Sequence, residues 1–374
     1  MSVPPAVAGG LVISKLCFDP PATAGGTDCE AKLVNKLNGV IHRIGLLAIV
    51  IVLPALFTAC PKNEPPPRPR AGMSTSPRPI APEIRPAPVF DGARAMDHVK
   101  KQIDFGPRPP DTPQLAKTRA YIADQLKSSG LKVSLHEFVA TTPQGEKKMA
   151  NIVGEIAGET KTLILLGSHY ETKYYKDMHF VGANDPAASV ATLLEIGRVL
   201  GSSKEKPVVT YRLVFFDGEE SFCEGWSECD NPDGPDNTYG SRQYVALMRE
   251  RDELKNAGAL ILLDLMGYKN LELGRDTLST RWLQDIIWQT GRELGHTKIF
   301  VDREEGVGGD DHEPFLRAGV AAVDLIQLNT YPHWHKADDT IDKVSPQSMK
   351  IVGDTVLASL PKIATKVTQK EQKE

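Results

Sequence analysis

Cysteine is scarce in this chain, with five in 374 residues, and no two of them form a CxxC pair. That excludes a disulfide-dense scaffold and a zinc ribbon. An excess of either charge is also missing. Lys and Arg total 44 against 48 Asp and Glu, a net charge of −4, so nothing electrostatic points to a nucleic-acid partner. There is no internal repeat. The charge-free apolar run at 44–59 stops at 16 residues, short of the ~20 that a membrane-spanning helix needs. What the chain does have is a 41% hydrophobic share, which excludes a wholly disordered or collagen-like protein. At about 100–200 residues per domain, its length allows one large domain or two modest ones.

Residues 44–59 read IGLLAIVIVLPALFTA and are preceded by Lys32, Lys36 and Arg43. A positive flank, a short apolar core and small residues before a cut are the marks of a signal peptide. Thr58-Ala59-Cys60 resembles a bacterial lipobox, in which the cysteine becomes the lipidated first residue. An uncleaved signal anchor, or plain cleavage and release, are the alternatives for 44–60. The expectation is an exported protein on the periplasmic or extracellular face, attached to a membrane through this segment. Residues 1–43 form an extension and the charged flank, and 1–31 fit a start codon assigned too early. Ten prolines lie between 61 and 88. They favour polyproline II or disorder and mark 61–89 as a linker, with a docking motif as the alternative.

The globular part is expected at 90–366, followed by a charged tail at 367–374. Runs of β-branched and apolar residues at 131–139, 151–156, 162–168, 208–216, 259–266 and 320–326 read as strands. Helical stretches at 115–127, 186–200, 239–254, 281–294 and 345–364 alternate with them. That alternation predicts an α/β domain with helices on both sheet faces. TLILLG and LILLDL are apolar throughout, as strands buried on both sides are.

Polar residues collect where strands end. His169-Tyr170-Glu171 follows one strand, and Asp217-Gly218-Glu219-Glu220 follows another. Asp264 lies near the end of LILLDLMG, Asp185 opens the helix at 186, and His335 lies in the loop after 320–326. In open α/β sheets, ligands bind beyond the carboxyl ends of the strands. Singly, each has a plain reading: Asp185 as a helix cap, Glu219-Glu220 as a solvated turn, His335 as a surface histidine. Asp264, inside an apolar run, needs a specific partner, because an unpaired buried carboxylate is costly. Successive side chains leaving a strand point different ways, so one of Glu219 and Glu220 can bind a metal while the other faces a substrate. Asp, Glu and His are ordinary zinc ligands. A catalytic zinc takes three of them and keeps a fourth position to polarise a carbonyl or activate water.

Eight stretches, in order, carry a resemblance to the glutaminyl-peptide cyclotransferases, which share a fold with the two-zinc aminopeptidases. They are FGPRP (105–109), SHYETKYY (168–175), FVGANDPAASVATLLEIGR (180–198), LVFFDGEESF (213–222), TYGSRQYVA (238–246), LILLDLMG (260–267), DDHEPFLRAGV (310–320) and WHKADDT (334–340). The resemblance implies a mixed, mostly parallel central sheet in a zinc-aminopeptidase-like α/β/α sandwich. It implies one zinc per domain, held by Asp185, Glu220 and His335, with Glu219 as general base and acid. Asp264 and Asp310 would form a carboxylate network near the reacting nitrogen. Trp226, Trp334 and Tyr331 would line the substrate pocket, with core packing as the alternative for the tryptophans. The implied substrates are peptides or proteins with N-terminal glutamine, converted to pyroglutamate with release of ammonia.

Hydrolysis is the rival reading. A two-zinc aminopeptidase would use His169, Asp185, Glu220, Asp264 and His335, with Glu219 activating water, and all are present. Against it stand Asp310, where the peptidases usually have serine, Trp334 directly before His335, and LVFFDGEE itself. Glu171 stands where both groups usually have aspartate and favours neither. A third reading is a lipoprotein that only binds peptides. The disulfide that animal cyclases often carry would fall at Ser168 and Val190, so it is absent here. Cys223 and Cys229, six apart in a glycine-containing loop of an exported protein, are expected to pair. Gly308-Gly309 replaces larger residues near the family's pocket, an expected widening.

Overall fold

The computed structural model describes residues 89–226, 228–229 and 234–371. The expectations for the leader, Cys60 and the proline-rich segment up to 88 lie outside the described residues. Helices α1 (Gly92–Ile103) and α2 (Pro113–Ser128) precede a hairpin of β1 (Lys132–Thr142) and β2 (Gly145–Ile156). Then follow β3 (Leu163–His169), α3 (Ser189–Gly201), β4 (Thr210–Phe216), α4 (Tyr239–Glu250), β5 (Ala257–Leu263) and β6 (Leu273–Asp276). The chain continues with α5 (Arg281–Glu293), β7 (Phe300–Glu305), α6 (Glu313–Arg317), β8 (Ala322–Leu325) and α7 (Pro346–Glu371).

Six strands form one mixed sheet in the order β1-β2-β4-β3-β5-β8. The β1–β2 and β2–β4 pairs are antiparallel, while β3–β4, β3–β5 and β5–β8 are parallel. The expected mixed, mostly parallel sheet is therefore present. Its central strands are apolar without alternation because both faces are covered. On β3, Ile164 and Leu166 join one core cluster and Leu163 and Leu165 the other; Leu213/Phe215 and Val214/Phe216 divide β4 in the same way. Helices α1, α3, α5 and α7 pack on the first side, and α4 and α6 on the second. Each such buried Leu, Ile or Val contributes about 1.5–3 kcal/mol.

All six expected strands exist. The hairpin is longer than its apolar part, because β2 starts at Gly145 and Thr142 pairs with Gly145 across a tight turn. Four elements, α1, β6, β7 and the short α6, had no expectation. Helix α1 buries Ala95, His98, Val99 and Gln102, a helical spacing written partly in polar residues, and Asp91 caps it by accepting from the amides of Ala93 and Arg94. The small parallel pair β6–β7 reads LGRD and FVDREE; ion pairs of Arg275 with Asp285 and Asp302 and of Glu305 with Arg303, not apolar periodicity, accompany it. The helix expected from 186 is regular only from Ser189. Residues Ala183–Ala188 form a wider turn in which Asp185 is non-helical. Helix α7 runs through the boundary placed at 366, with Val367 buried in the core.

Candidate active site

The carboxyl ends of β4, β3, β5 and β8 share one edge of the sheet, since these four strands are parallel. His169 ends β3, the 217–220 turn leaves β4, and Asp264 leaves β5. Trp334 and His335 lie in the loop beyond β8, and Asp310 lies between β7 and α6. The tertiary structure brings eight of the nine expected site residues to one cavity of ≈ 130 Å³. It is lined by Asp185, Glu219, Glu220, Trp226, Asp264, Asp310, Trp334 and His335, together with apolar Leu265, Val307, Ile326 and Leu328. Tyr331 is the exception. Its ring packs behind Leu265 and Ile326, and its hydroxyl donates to Asp339 Oδ1 at 2.6 Å. It supports the wall from behind and does not line the cavity.

Asp185, Glu220 and His335 converge, with ligand-type atoms within 4.8 Å of one another. His335 Nε2 is 3.0 Å from Glu220 Oε1 and 3.5 Å from Asp185 Oδ2. Asp185 Oδ2 and Glu220 Oε2 are buried without a hydrogen-bond partner. Orphaned carboxylate oxygens facing an imidazole fit a bound divalent cation. Burial and the Glu220 charge push Asp185 up to about 7. Burial acts the same way on Glu220, but the contact with His335 and the charge of Lys173 hold it at about 2.

Glu219 is beside this trio. Its carboxyl lies well above the ordinary range: burial raises it, His169 opposes, and the charges of Asp310 and Glu220 raise it further. Asp264 Oδ1 accepts from the Leu265 amide at 2.8 Å and lies 3.2 Å from His169 Nε2, so the partner its burial required is present. His169 Nε2 is also 3.3 Å from Asp185 Oδ1. Trp334 is 41% exposed and stacks on His335 with ring centroids 4.2 Å apart. It is a wall of the site, not a core residue.

Apart from Glu171, which was expected behind the metal ligands or in the pocket wall, sequence reasoning gave no role to the residues that hold these groups in place. Glu171 Oε1 accepts from the amides of Glu219 (2.5 Å) and Glu220 (3.1 Å), so it fixes the turn that carries both. Asp339 does the same for Asp185, accepting from the amides of Asn184 at 2.9 Å and Asp185 at 3.1 Å. Buried Lys173 donates to Ser221 Oγ at 2.6 Å and to the Ser221 carbonyl at 2.8 Å. Arg108, fully buried, donates to the carbonyls of Val181 (2.6 Å) and Gly182 (3.2 Å). Gly182, at φ +53, has no room for a Cβ against the Asp185 carbonyl. The signal was available: Arg108, Glu171, Lys173, Gly182, Ser221 and Asp339 all lie inside the eight matched stretches. Arg108→Met is expected to destabilise the protein by about 3–5 kcal/mol, the cost of removing one partner from a buried charged network. Urea unfolding measures it, and a change below about 1 kcal/mol, the scale of a surface substitution, would contradict the role.

Cys223 and Cys229 form the expected disulfide, with Cα atoms 6.2 Å apart. The bond closes the loop that carries Trp226, whose carbonyl accepts from Asn237 Nδ2 at 3.0 Å. A loop this short constrains the unfolded chain little. Cys223→Ser is therefore expected to raise KM more than it lowers Tm. An unchanged KM would separate the staple from the pocket wall, and thiol counting on unreduced, denatured protein checks the bond itself.

The model of Peptidase family M28 matches residues 151–360. The glutaminyl-peptide cyclotransferase of Bos taurus is 31% identical over 265 residues, covering 62% of this chain and 72% of the relative. The crystal structure of an Acidobacteriales bacterium glutaminyl cyclase superposes with a TM-score of 0.69 at 33% identity, over 77% of this chain and 99% of that one. A Zn-dependent exopeptidase from Parabacteroides distasonis superposes with a TM-score of 0.66 at 27% identity, over 72% and 98%. With a family match over more than half its length and a cyclotransferase relative at this identity and coverage, the chain belongs to peptidase family M28 and, within that fold, to the glutaminyl-peptide cyclotransferases.

Proposed function

We propose that the enzyme converts the N-terminal glutamine of peptides or proteins to pyroglutamate by zinc-assisted intramolecular aminolysis. The observation that carries this reading is one small cavity. In it the Asp185/Glu220/His335 trio, a buried Glu219 and a second acidic group at Asp310 face two tryptophans. The family relatives support it by name.

The substrate brings its own nucleophile and electrophile, so the protein needs no serine or cysteine nucleophile. Asp185, Glu220 and His335 would hold one zinc ion. When bound, the ion supplies Lewis-acid polarisation of the γ-carbonyl. The apolar and tryptophan walls fold the glutamine side chain back onto its own amine, which supplies proximity. The neutral α-amine attacks the γ-amide carbon, and a C–N bond forms. Glu219 takes the proton that the attacking nitrogen loses and returns it to the departing amide nitrogen, which leaves as ammonia. A carboxyl whose proton affinity is raised by burial suits both halves of that transfer. Asp264 and Asp310 lie beside this path as the carboxylate network.

One observation favours the second reading. His169, Asp185 and Asp264 also converge within 4.8 Å, as the second metal of a two-zinc aminopeptidase would require. Incubation with Gln-initiated and Leu-initiated peptides, followed by mass spectrometry, separates the two. Loss of ammonia from the Gln peptide alone is the expected result; release of the first residue from the Leu peptide would replace the cyclase reading with the peptidase. Membrane attachment through residues 44–60 is proposed on the sequence pattern. It is checked by whether the protein partitions with membranes and whether Cys60→Ser releases it.

A further inference from the structure

Arg119 lies on α2, outside the eight matched stretches and away from the cavity lining. Its side chain nevertheless reaches two segments of the site at once. Nε donates to the Tyr170 hydroxyl at 2.8 Å, and Nη2 donates to Asp217 Oδ2 at 2.9 Å. Tyr170 stands between His169 and Glu171 at the end of β3, and Asp217 opens the turn that carries Glu219 and Glu220 away from β4.

Both partners are fully buried, and both are anchored on β2. The Tyr170 hydroxyl donates to the Ala150 carbonyl at 2.7 Å, and the Ala150 amide donates to Asp217 Oδ2 at 2.8 Å. The Asp217 amide donates to Asn151 Oδ1 at 3.0 Å. The Tyr170 amide donates to the Phe216 carbonyl at 3.1 Å. Arg119 therefore closes a ring that joins α2, β2 and the ends of β3 and β4.

The ring has little slack. Asp217 Oδ1 has no hydrogen-bond partner, so the carboxylate is held through Oδ2 alone. Burial and the Glu171 charge push the Asp217 carboxyl up to about 7, and the Arg119 charge opposes them. With the guanidinium removed, a buried carboxylate faces Glu171 uncompensated and either takes a proton or moves. Either change is passed to the next residues. The turn packs so closely on Met149 that a Cβ at Gly218 would lie 2.6 Å from its sulfur, and Glu219 and Glu220 follow directly.

We propose that Arg119 is a positioning residue for the reaction: by bridging Tyr170 and Asp217 it sets the turn that carries Glu219 and Glu220. The inference rests on the roles given to those two residues under the cyclase reading. A planar guanidinium suits the task, because its rigid fork presents Nε and Nη2 to two oxygens together, whereas a lysine ammonium is a point donor on a flexible stem. Arg119 is also accessible from outside. Its side chain is 21% exposed and lines a groove of ≈ 630 Å³ with Pro113 and Ala116 of α2 and Val139 and Met149 of the β1–β2 hairpin. A small planar cation can therefore enter from solution and refill the position.

The test is chemical rescue in the full-length, zinc-loaded enzyme. Arg119→Ala is expected to keep its zinc and to lower kcat on a Gln-initiated peptide by about 10–100-fold, the order that a misplacement of about 1 Å costs. KM should change less. Guanidinium at millimolar concentration, well below its denaturing range, should restore part of kcat, while sodium chloride at the same ionic strength should not. A purely structural loss would not be repaired this way, because guanidinium weakens folded proteins. Near-native kcat in Arg119→Ala overturns the inference, and so does a loss that guanidinium leaves untouched. If Arg119→Ala fails to fold, Arg119→Lys and Tyr170→Phe decide. Each should lower kcat several-fold at unchanged zinc content, and near-native kcat in either overturns the inference. An unaltered enzyme that releases the first residue of a Leu-initiated peptide in place of ammonia overturns the cyclase reading alone, and the same variants are then read on that hydrolysis.

Discussion

Glu219→Gln is expected to keep its zinc and lower kcat by at least ~10²–10⁴-fold, the usual worth of a general acid–base. Glutamine nearly preserves the shape of the side chain but cannot carry the proton from the attacking amine to the departing nitrogen. The residue is 5% exposed, so water in the cavity is poorly placed to substitute for it. Its main-chain amide is held by Glu171, and the variant should leave that anchor intact. Steady-state kinetics on a Gln-initiated peptide, with metal content measured on the same sample, reads both quantities. A near-native kcat would remove Glu219 from the mechanism. Loss of zinc together with activity would instead make it a ligand.

His335→Ala is expected to have the other large effect, on metal affinity. The variant removes the one nitrogen that faces Glu220 Oε1 and Asp185 Oδ2, leaving two carboxylates whose charges raise each other's proton affinity. Loss of an outer partner of a metal ligand costs about 10–100-fold in affinity, and loss of a ligand should exceed that. Competition against a chelator of known zinc affinity measures the change, with turnover of a Gln-initiated peptide followed in parallel. Trp334 would also lose the ring on which it stacks, so KM should rise at saturating zinc. Unchanged zinc affinity would place the catalytic metal elsewhere, and the His169/Asp185/Asp264 group would be the next candidate.

Much of the fold was legible because burial writes itself into apolar runs. Strands β3 and β5 are covered on both faces, and LILLGSH and AGALILL show it directly. Strands β6 and β7 were not legible. They are short, and their neighbours in the structure are charged groups such as Asp302 and Asp285 paired with Arg275, which no hydrophobic period records. Helix α1 was missed for a related reason, since His98 and Gln102 occupy its buried face. Gln102 is buried there because its Nε2 donates to the carbonyls of His98 and Ala187, a bond across 85 residues for the second partner.

The sequence by itself determined which residues gather at the candidate site. Acidic residues and histidines placed at the ends of strands in a fixed order, with the matched stretches around them, named eight residues that do share one cavity. It also gave the Cys223–Cys229 pair as the expectation over two free thiols, because a separation of six in the sequence leaves the two side chains within reach of each other. The tertiary structure alone decided orientation. Tyr331 follows the same loop as Trp334, yet its hydroxyl is taken by Asp339 and its ring faces the back of the wall. Asp185 reads as the cap of a regular helix, yet the amide contacts of Asp339 and the carbonyl contacts of Arg108 hold a wider turn there. Sequence spacing states which side chains a short loop can deliver to a strand edge. Which way each one points depends on hydrogen bonds to partners far away in the chain, and those exist only once the chain has folded.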